Sequence, residues 1–228
     1  MAPRVLFVLS SQKVLGDTGR PTGWYLPEFA HPYHVLSPHV TISVASPAGG
    51  EAPLDPSSVE MFKADEIAVK FLNEKSELWK DTIKLEGLKA EDYDGIFFVG
   101  GHGPMFDIAR VPTVISLIRA FADADKLVGA VCHGSAALLD VELSGGKLLI
   151  DGEPVTGFSN TEEDATGLSG AMPFMLETEL MRNGAKYEKA GQPWGEKVCV
   201  GRGGKLVTGQ NPASAAGVGE KMKVALGV

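Results

Sequence analysis

Short apolar runs rich in Val, Ile and Phe punctuate the chain at Val5–Leu9, Val40–Ala45, Ile96–Val99 and Leu127–Val131. Stretches between them predict helices at Thr22–Leu36, Thr113–Ala124, Gly134–Leu139, Met172–Asn183 and Ala213–Leu226, with Asn183-Gly184 supplying a C-terminal stop. Apolar strands alternating with helices predict an α/β fold: a doubly wound, mostly parallel sheet with helices on both faces. A weaker pair of runs, Lys197–Val200 and Lys205–Thr208, brackets Gly201-Arg202-Gly203-Gly204 and predicts a hairpin. The stretch 47–94 is too long for a simple crossover and carries an amphipathic segment, Phe62, Ile67, Phe71 and Leu72, followed by Trp79 and Ile83. It reads as an inserted element or small cap within one domain spanning 1–228.

Composition narrows the classes of function. A chain of 228 residues can bury one sizeable core, and its 44% hydrophobic and 22% charged residues leave no stretch that reads as disordered. A formal net charge of −8 argues against nucleic-acid binding, which depends on clustered Lys and Arg. No apolar run approaches the roughly 18–20 residues needed to span a bilayer, so no membrane partner is expected. The run Val5–Leu9 follows Met1-Ala2-Pro3-Arg4 without a small-residue cleavage site and reads as a buried strand. A cytoplasmic location is expected on that ground, with a nuclear one left open, and Cys132 and Cys199 are expected to be free thiols.

The richest chemistry lies in Leu127-Val128-Gly129-Ala130-Val131-Cys132-His133-Gly134-Ser135-Ala136-Ala137-Leu138. An apolar strand running into Cys and then small residues is the layout of a nucleophile elbow. Gly134 would relieve crowding in the turn, and a following helix N-terminus would favour thiolate over thiol. Cys199 sits in an alternating strand without an elbow and reads as an inert core thiol. His133 becomes a base only if the turn brings it to the sulfur and a third group orients it. The acidic stretch Phe158-Ser159-Asn160-Thr161-Glu162-Glu163-Asp164 offers that third group, but also reads as a capped helix start.

Gly100-Gly101-His102-Gly103 follows a strand, where its N–H groups could complete an oxyanion hole. It lacks the endings that bind ATP or the spacing that binds NAD, and no cofactor is expected. Glu28, among aromatic and apolar neighbours, would have a raised pKa suited to moving protons. His31, His34 and His39 lack ligand spacing, so no metal is expected.

Together these motifs resemble the ThiJ/PfpI superfamily, whose core is shared with class I glutamine amidotransferases, and within it the heat-shock chaperone and glyoxalase III branch. Segments in matching order carry the resemblance: Thr22-Gly23 to Glu28-Phe29-Ala30-His31-Pro32, Gly100-Gly101-His102-Gly103 with Phe106-Asp107, Ala130-Val131-Cys132-His133-Gly134, Thr156-Gly157-Phe158 to Glu162-Glu163, and Leu206-Val207-Thr208-Gly209-Gln210-Asn211-Pro212-Ala213-Ser214. It implies a flavodoxin-like fold with Cys132 as nucleophile, His133 as base, Glu163 orienting the histidine and Glu28 as the acid beside the thiol. Glu162 stands close enough to exchange places with Glu163. The amides of Gly101 and His133 are implied as oxyanion donors, and His102 and Trp24 as substrate-binding residues. The implied activity is cofactor-free conversion of methylglyoxal or glyoxal, a small reactive carbonyl, to D-lactate or glycolate. Two other readings use the same site: a stress-response holdase acting on unfolded client proteins with an oxidation-sensing thiol, and a cysteine peptidase or amidase. A homodimer is expected from the resemblance.

Overall fold

The structure, a computed structural model, describes residues 2–228. Its strands are β1 (Arg4–Val8), β2 (Thr41–Ser46), β3 (Ile83–Lys84), β4 (Gly95–Phe98), β5 (Leu127–Val131), β6 (Pro154–Val155), β7 (Lys186–Tyr187), β8 (Val198–Gly201) and β9 (Leu206–Gly209). The helices are α1 (Leu26–Leu36), α2 (Pro56–Met61), α3 (Glu66–Glu74), α4 (Glu77–Lys80), α5 (Pro104–Asp107), α6 (Pro112–Asp123), α7 (Asn160–Thr166), α8 (Leu176–Arg182) and α9 (Ala215–Leu226). Seven strands form one sheet in the order β3-β2-β1-β4-β5-β9-β8. All neighbours are parallel except β8 and β9, which form the predicted hairpin. Helices α1 and α9 pack together beside β5 and β9, while α6 packs on β4 and β5.

The doubly wound fold read from the strand pattern is thus borne out. Because β1 lies between β2 and β4, the direction of winding reverses there, and the carboxyl ends of β1 and β4 flank the crevice where such sheets bind ligands. Residues 47–94 contain α2, α3, α4 and the edge strand β3, which pairs in parallel with β2. The amphipathic face of α3 packs on α1, with Phe71 4.6 Å from Phe29 between ring centroids.

Three predicted helices differ. The one expected from Thr22 begins at Leu26, because Trp24 donates its N–H to Pro53 and bridges Leu54 in extended conformation. The Met172–Asn183 helix begins at Leu176, the preceding stretch being interrupted by Pro173, which disfavours helix at the residue before it. The Gly134–Leu139 helix is a 3-10 turn running Cys132–Leu138, fully buried, in which small residues let the backbone pack against the end of β4. The short parallel pair β6 and β7 lacks an apolar run long enough to announce it in sequence.

Phe29 joins the sheet to its surroundings: it is fully buried and meets Phe7 of β1, Trp24, Tyr33 and Phe71 at 4.6–6.1 Å. Phe29→Ala should cost about 3–5 kcal/mol of stability, mostly from the cavity it leaves. Urea unfolding monitored by circular dichroism measures it, and a loss under about 1 kcal/mol would show that the cluster is not a structural centre.

Candidate active site

The nucleophile candidate stands at the end of β5, next to the switch point of the sheet. Cys132 takes φ +56°, a left-handed conformation that is costly for a residue with a side chain. The turn is possible because Gly134 lies against β4: a Cβ there would come within 2.4 Å of the Phe98 carbonyl oxygen. Glycine is equally required at Gly100, where a Cβ would fall 2.3 Å from Glu28 Oε2 and 2.8 Å from Cys132 Cβ. The end of β4 and α1 therefore close on the sulfur from two sides, leaving Cys132 buried.

The turn also solves the problem of adjacency. His133 Nδ1 lies 3.4 Å from Cys132 Sγ, and His133 Nε2 lies 2.6 Å from Glu163 Oε2. The other Glu163 oxygen is 3.1 Å from His102 Nε2, so one carboxylate bridges two imidazoles whose rings lie 4.3 Å apart. Phe158 packs on the far side of His133 at 4.4 Å.

The acidic stretch divides between neighbouring residues, one serving the helix cap and the next contacting the histidines. Ser159 caps α7, and Glu162 completes the capping box through the Ser159 N–H. Glu162 also accepts from Gln210 Nε2, Asn211 Nδ2 and the Trp194 N–H at 2.8–2.9 Å. Glu163, one residue on, faces the histidines. Successive helical side chains point in different directions, which separates the two roles that sequence leaves interchangeable.

Burial raises both acids near the sulfur, and their different partners drive them apart. Burial raises Glu28 to about 8, opposed by the Cys132 thiol and the amides of Gly101 and Gly100, with Asp55 adding to the rise. Neither Glu28 oxygen completes a well-formed hydrogen bond, so the carboxyl is held by proximity to these groups rather than by a firm acceptor role. Burial also works to raise Glu163, but the His133 charge and the hydrogen bonds of His102 and His133 carry it well below the usual carboxylate range. His133 is pushed down by burial and by His102, against the pull of Glu163.

The thiol itself is pushed well above its ordinary value by burial and then by the Glu28 charge, with the His133 N–H opposing. The expected help from a helix N-terminus is replaced by the 3-10 turn, so a thiolate here depends on proton transfer within the Glu28, Cys132 and His133 cluster. Asp107, raised by burial to about 6, ties the end of β1 to the glycine loop by accepting from Ser10 Oγ and the Ser11 N–H.

Cys132, His133, His102, Glu28 and Gly101 all line one cavity of about 440 Å³. Trp24 does not: its indole is fully buried, donates to the Ala52 carbonyl and packs on Phe29 and Trp79. The cavity side is taken instead by its neighbour Tyr25, because adjacent residues of the extended segment face opposite ways. Sequence reading also passed over Phe158, Leu168, Met61 and Trp194, which line the cavity from separate loops and helices. A larger open groove of about 760 Å³ between residues 85–91 and α6 contains no Cys or His.

His102, His133 and Glu163 bring ligand atoms within 4.8 Å of one another, a set able to hold a metal ion. Ligation would require both imidazole–carboxylate hydrogen bonds to be given up. His31 is engaged elsewhere, 2.7 Å from Asp65 Oδ2. Among the described residues no helix is long and apolar enough to cross a membrane.

Known proteins resemble this chain over nearly its whole length. The glutathione-independent glyoxalase HSP31 of Saccharomyces cerevisiae is 30% identical over 228 residues, covering 94% of each chain. The crystal structure of glyoxalase III from Candida albicans superposes with a TM-score of 0.87 at 30% identity, covering 98% of this chain and 97% of that one. The 24 kDa rapid encystment protein of Francisella tularensis gives a TM-score of 0.92 at 36% identity, covering 98% and 99%. The model of the DJ-1/PfpI family matches residues 27–222, the stretch from α1 to α9 that holds every side chain of the cysteine site, and the chain belongs to that family.

Proposed function

We propose that the chain is a glutathione-independent glyoxalase that converts methylglyoxal to D-lactate, and glyoxal to glycolate, with Cys132 as nucleophile. The observation that carries this reading is the continuous set Glu28, Cys132 and His133 lining one cavity, with Glu163 behind His133 on its far nitrogen. The glyoxalases of two yeasts, similar over nearly their whole length, support it.

The chemistry follows from the protonation states. Burial and His102 favour the neutral form of His133, whose Nδ1 takes the thiol proton as Sγ adds to the aldehyde carbon. Glu163 stays ionised and stabilises the imidazolium that forms. The proton passes to the former aldehyde oxygen, giving a hemithioacetal, with the His133 and Gly101 amides as donors to the developing oxyanion. His133 then removes the proton from the carbon bearing sulfur while the neutral Glu28 carboxyl protonates the neighbouring ketone oxygen, giving an enediol. His133 returns its proton to that neighbouring carbon, and the hydroxyl on the sulfur-bearing carbon returns one to Glu28. The product is a thioester of the hydroxy acid, which water hydrolyses to restore the thiol. One carbon is oxidised and its neighbour reduced, so electrons balance within the substrate.

Cys132→Ala should abolish lactate formation from methylglyoxal in glutathione-free buffer, whereas Cys199→Ala, altering a buried thiol on β8, should retain it. Lactate production by the Cys132 variant would overturn the assignment. Glu163→Gln should lower kcat by about a hundredfold or more, since the imidazolium loses its counter-charge. Steady-state assays with both variants would reveal an undiminished kcat if Glu163 were only structural.

Glu28 makes a separate prediction about stability. Folding raises its pKa from 4.5 to about 8, so the folded state holds a proton that the unfolded chain has lost. That contribution is fully present below about pH 4.5 and disappears as pH rises through about 8. The difference in urea midpoint between the protein and Glu28→Gln should therefore shift in favour of the variant across this window; a difference independent of pH would refute the raised pKa.

A further inference from the structure

The cavity is far larger than the substrate just named, and apolar and aromatic side chains form much of its lining, with Arg20, Thr22 and Thr166 among the polar residues that also border it. Methylglyoxal has five non-hydrogen atoms, roughly 150 Å³ at about 30 Å³ for each water-sized unit. Most of the 440 Å³ would stay unfilled around it. Leu15, Tyr25, Phe158 and Leu168 wall this remaining space, and Asp55, which also reaches it, is already engaged by the Ser57 N–H and hydroxyl.

The rim adds a second observation. Met61 and Trp194 are 70% and 47% exposed, two of the few large apolar side chains on the surface, and both border this cavity. Trp194 is also held there against its own preference. Its backbone takes φ +64°, a conformation unfavourable for a bulky aromatic, while its N–H is fixed by Glu162 and its ring lies 5.6 Å from Phe158. Phe158 in turn stacks on His133, so an aromatic wall runs from the reacting end of the cavity to its mouth.

We propose that Trp194 and Met61 determine specificity, and that the preferred substrates are α-oxoaldehydes bearing an aromatic or large branched apolar group on the ketone carbon. The proposal rests on the glyoxalase reading. The apolar group occupies the space between Phe158, Trp194 and Met61 while the aldehyde carbon meets Cys132. Cys132 adds to the aldehyde, the C1 proton moves to C2, and one water cleaves the thioester, so that an aryl α-oxoaldehyde plus water yields the aryl hydroxy carboxylate and a proton. No external oxidant or reductant is consumed.

Phenylglyoxal and methylglyoxal are the probes, with mandelate and lactate measured as products. The full-length protein should process phenylglyoxal with a kcat/KM about tenfold or more above that for methylglyoxal, chiefly through a lower KM. Trp194→Ala should reduce that ratio by about tenfold, Trp194→Phe should restore most of it, and Met61→Glu should lower it at the rim without touching the buried core. Equal kcat/KM for the two substrates, or a Trp194→Ala variant that loses both activities in proportion, would overturn the proposal. So would an unchanged ratio accompanied by lost suppression of client aggregation, which would make the rim a protein-binding surface. If neither hydroxy acid forms with any protein, the glyoxalase reading itself fails, a result distinct from conversion without preference.

Discussion

The site is organised around one buried negative charge. Glu163 lies out of water, where an unpaired carboxylate would be severely destabilising, and it is kept ionised by His133 and His102, one on each oxygen. This fixes the tilt of His133 and hence the direction of Nδ1 toward the sulfur. Phe158 closes the open face of the imidazole, and the packed 3-10 turn leaves the ring little freedom to move.

Two carboxyl groups with opposed environments then divide the proton chemistry. Glu163 is hydrogen-bonded by an imidazole on each oxygen and stays ionised; Glu28 is buried against the thiol and two glycine amides without a firm hydrogen bond and stays protonated to about 8. With Glu28 neutral, its O–H can donate to sulfur, and the charge that would oppose thiolate formation is absent. Burial is the main reason that the Cys132 thiol stands well above its ordinary range, and an ionised Glu28 beside it would raise it further. A thiol that stays neutral until substrate arrives is also a poor target for adventitious oxidation.

Much of this was legible in the amino-acid sequence because it depends on local rules. Apolar runs identified the central strands, and Cys132-His133-Gly134 identified the elbow because a strand followed by small residues permits only a tight turn. Glu28 stood out as an acid among apolar neighbours. What stayed hidden depends on direction and long-range pairing. Glu162 and Glu163 are equivalent by composition, and only the cap at Ser159 sets the rotation that sends one to Gln210 and Asn211 and the other to the histidines. Trp24 and Tyr25 are both plausible aromatic wall residues until the bridge to Leu54 turns the indole into the core. Trp194 and Met61 lie far apart in sequence and are brought only by the fold to the border of one cavity, so no spacing could join them.

The position of Cys132 between α1 and α7 bears on how the protein is made. Its reactivity draws on Glu28, encoded near the beginning of the chain, and on Glu163, encoded after it, so neither a growing chain halted at the elbow nor a local hairpin reproduces the working cluster. Parallel strands joined by crossovers assemble through contacts distant in sequence, which form late. During synthesis the cysteine is therefore an ordinary thiol, and the base on one side of it and the acid on the other arrive only with completion of the sheet.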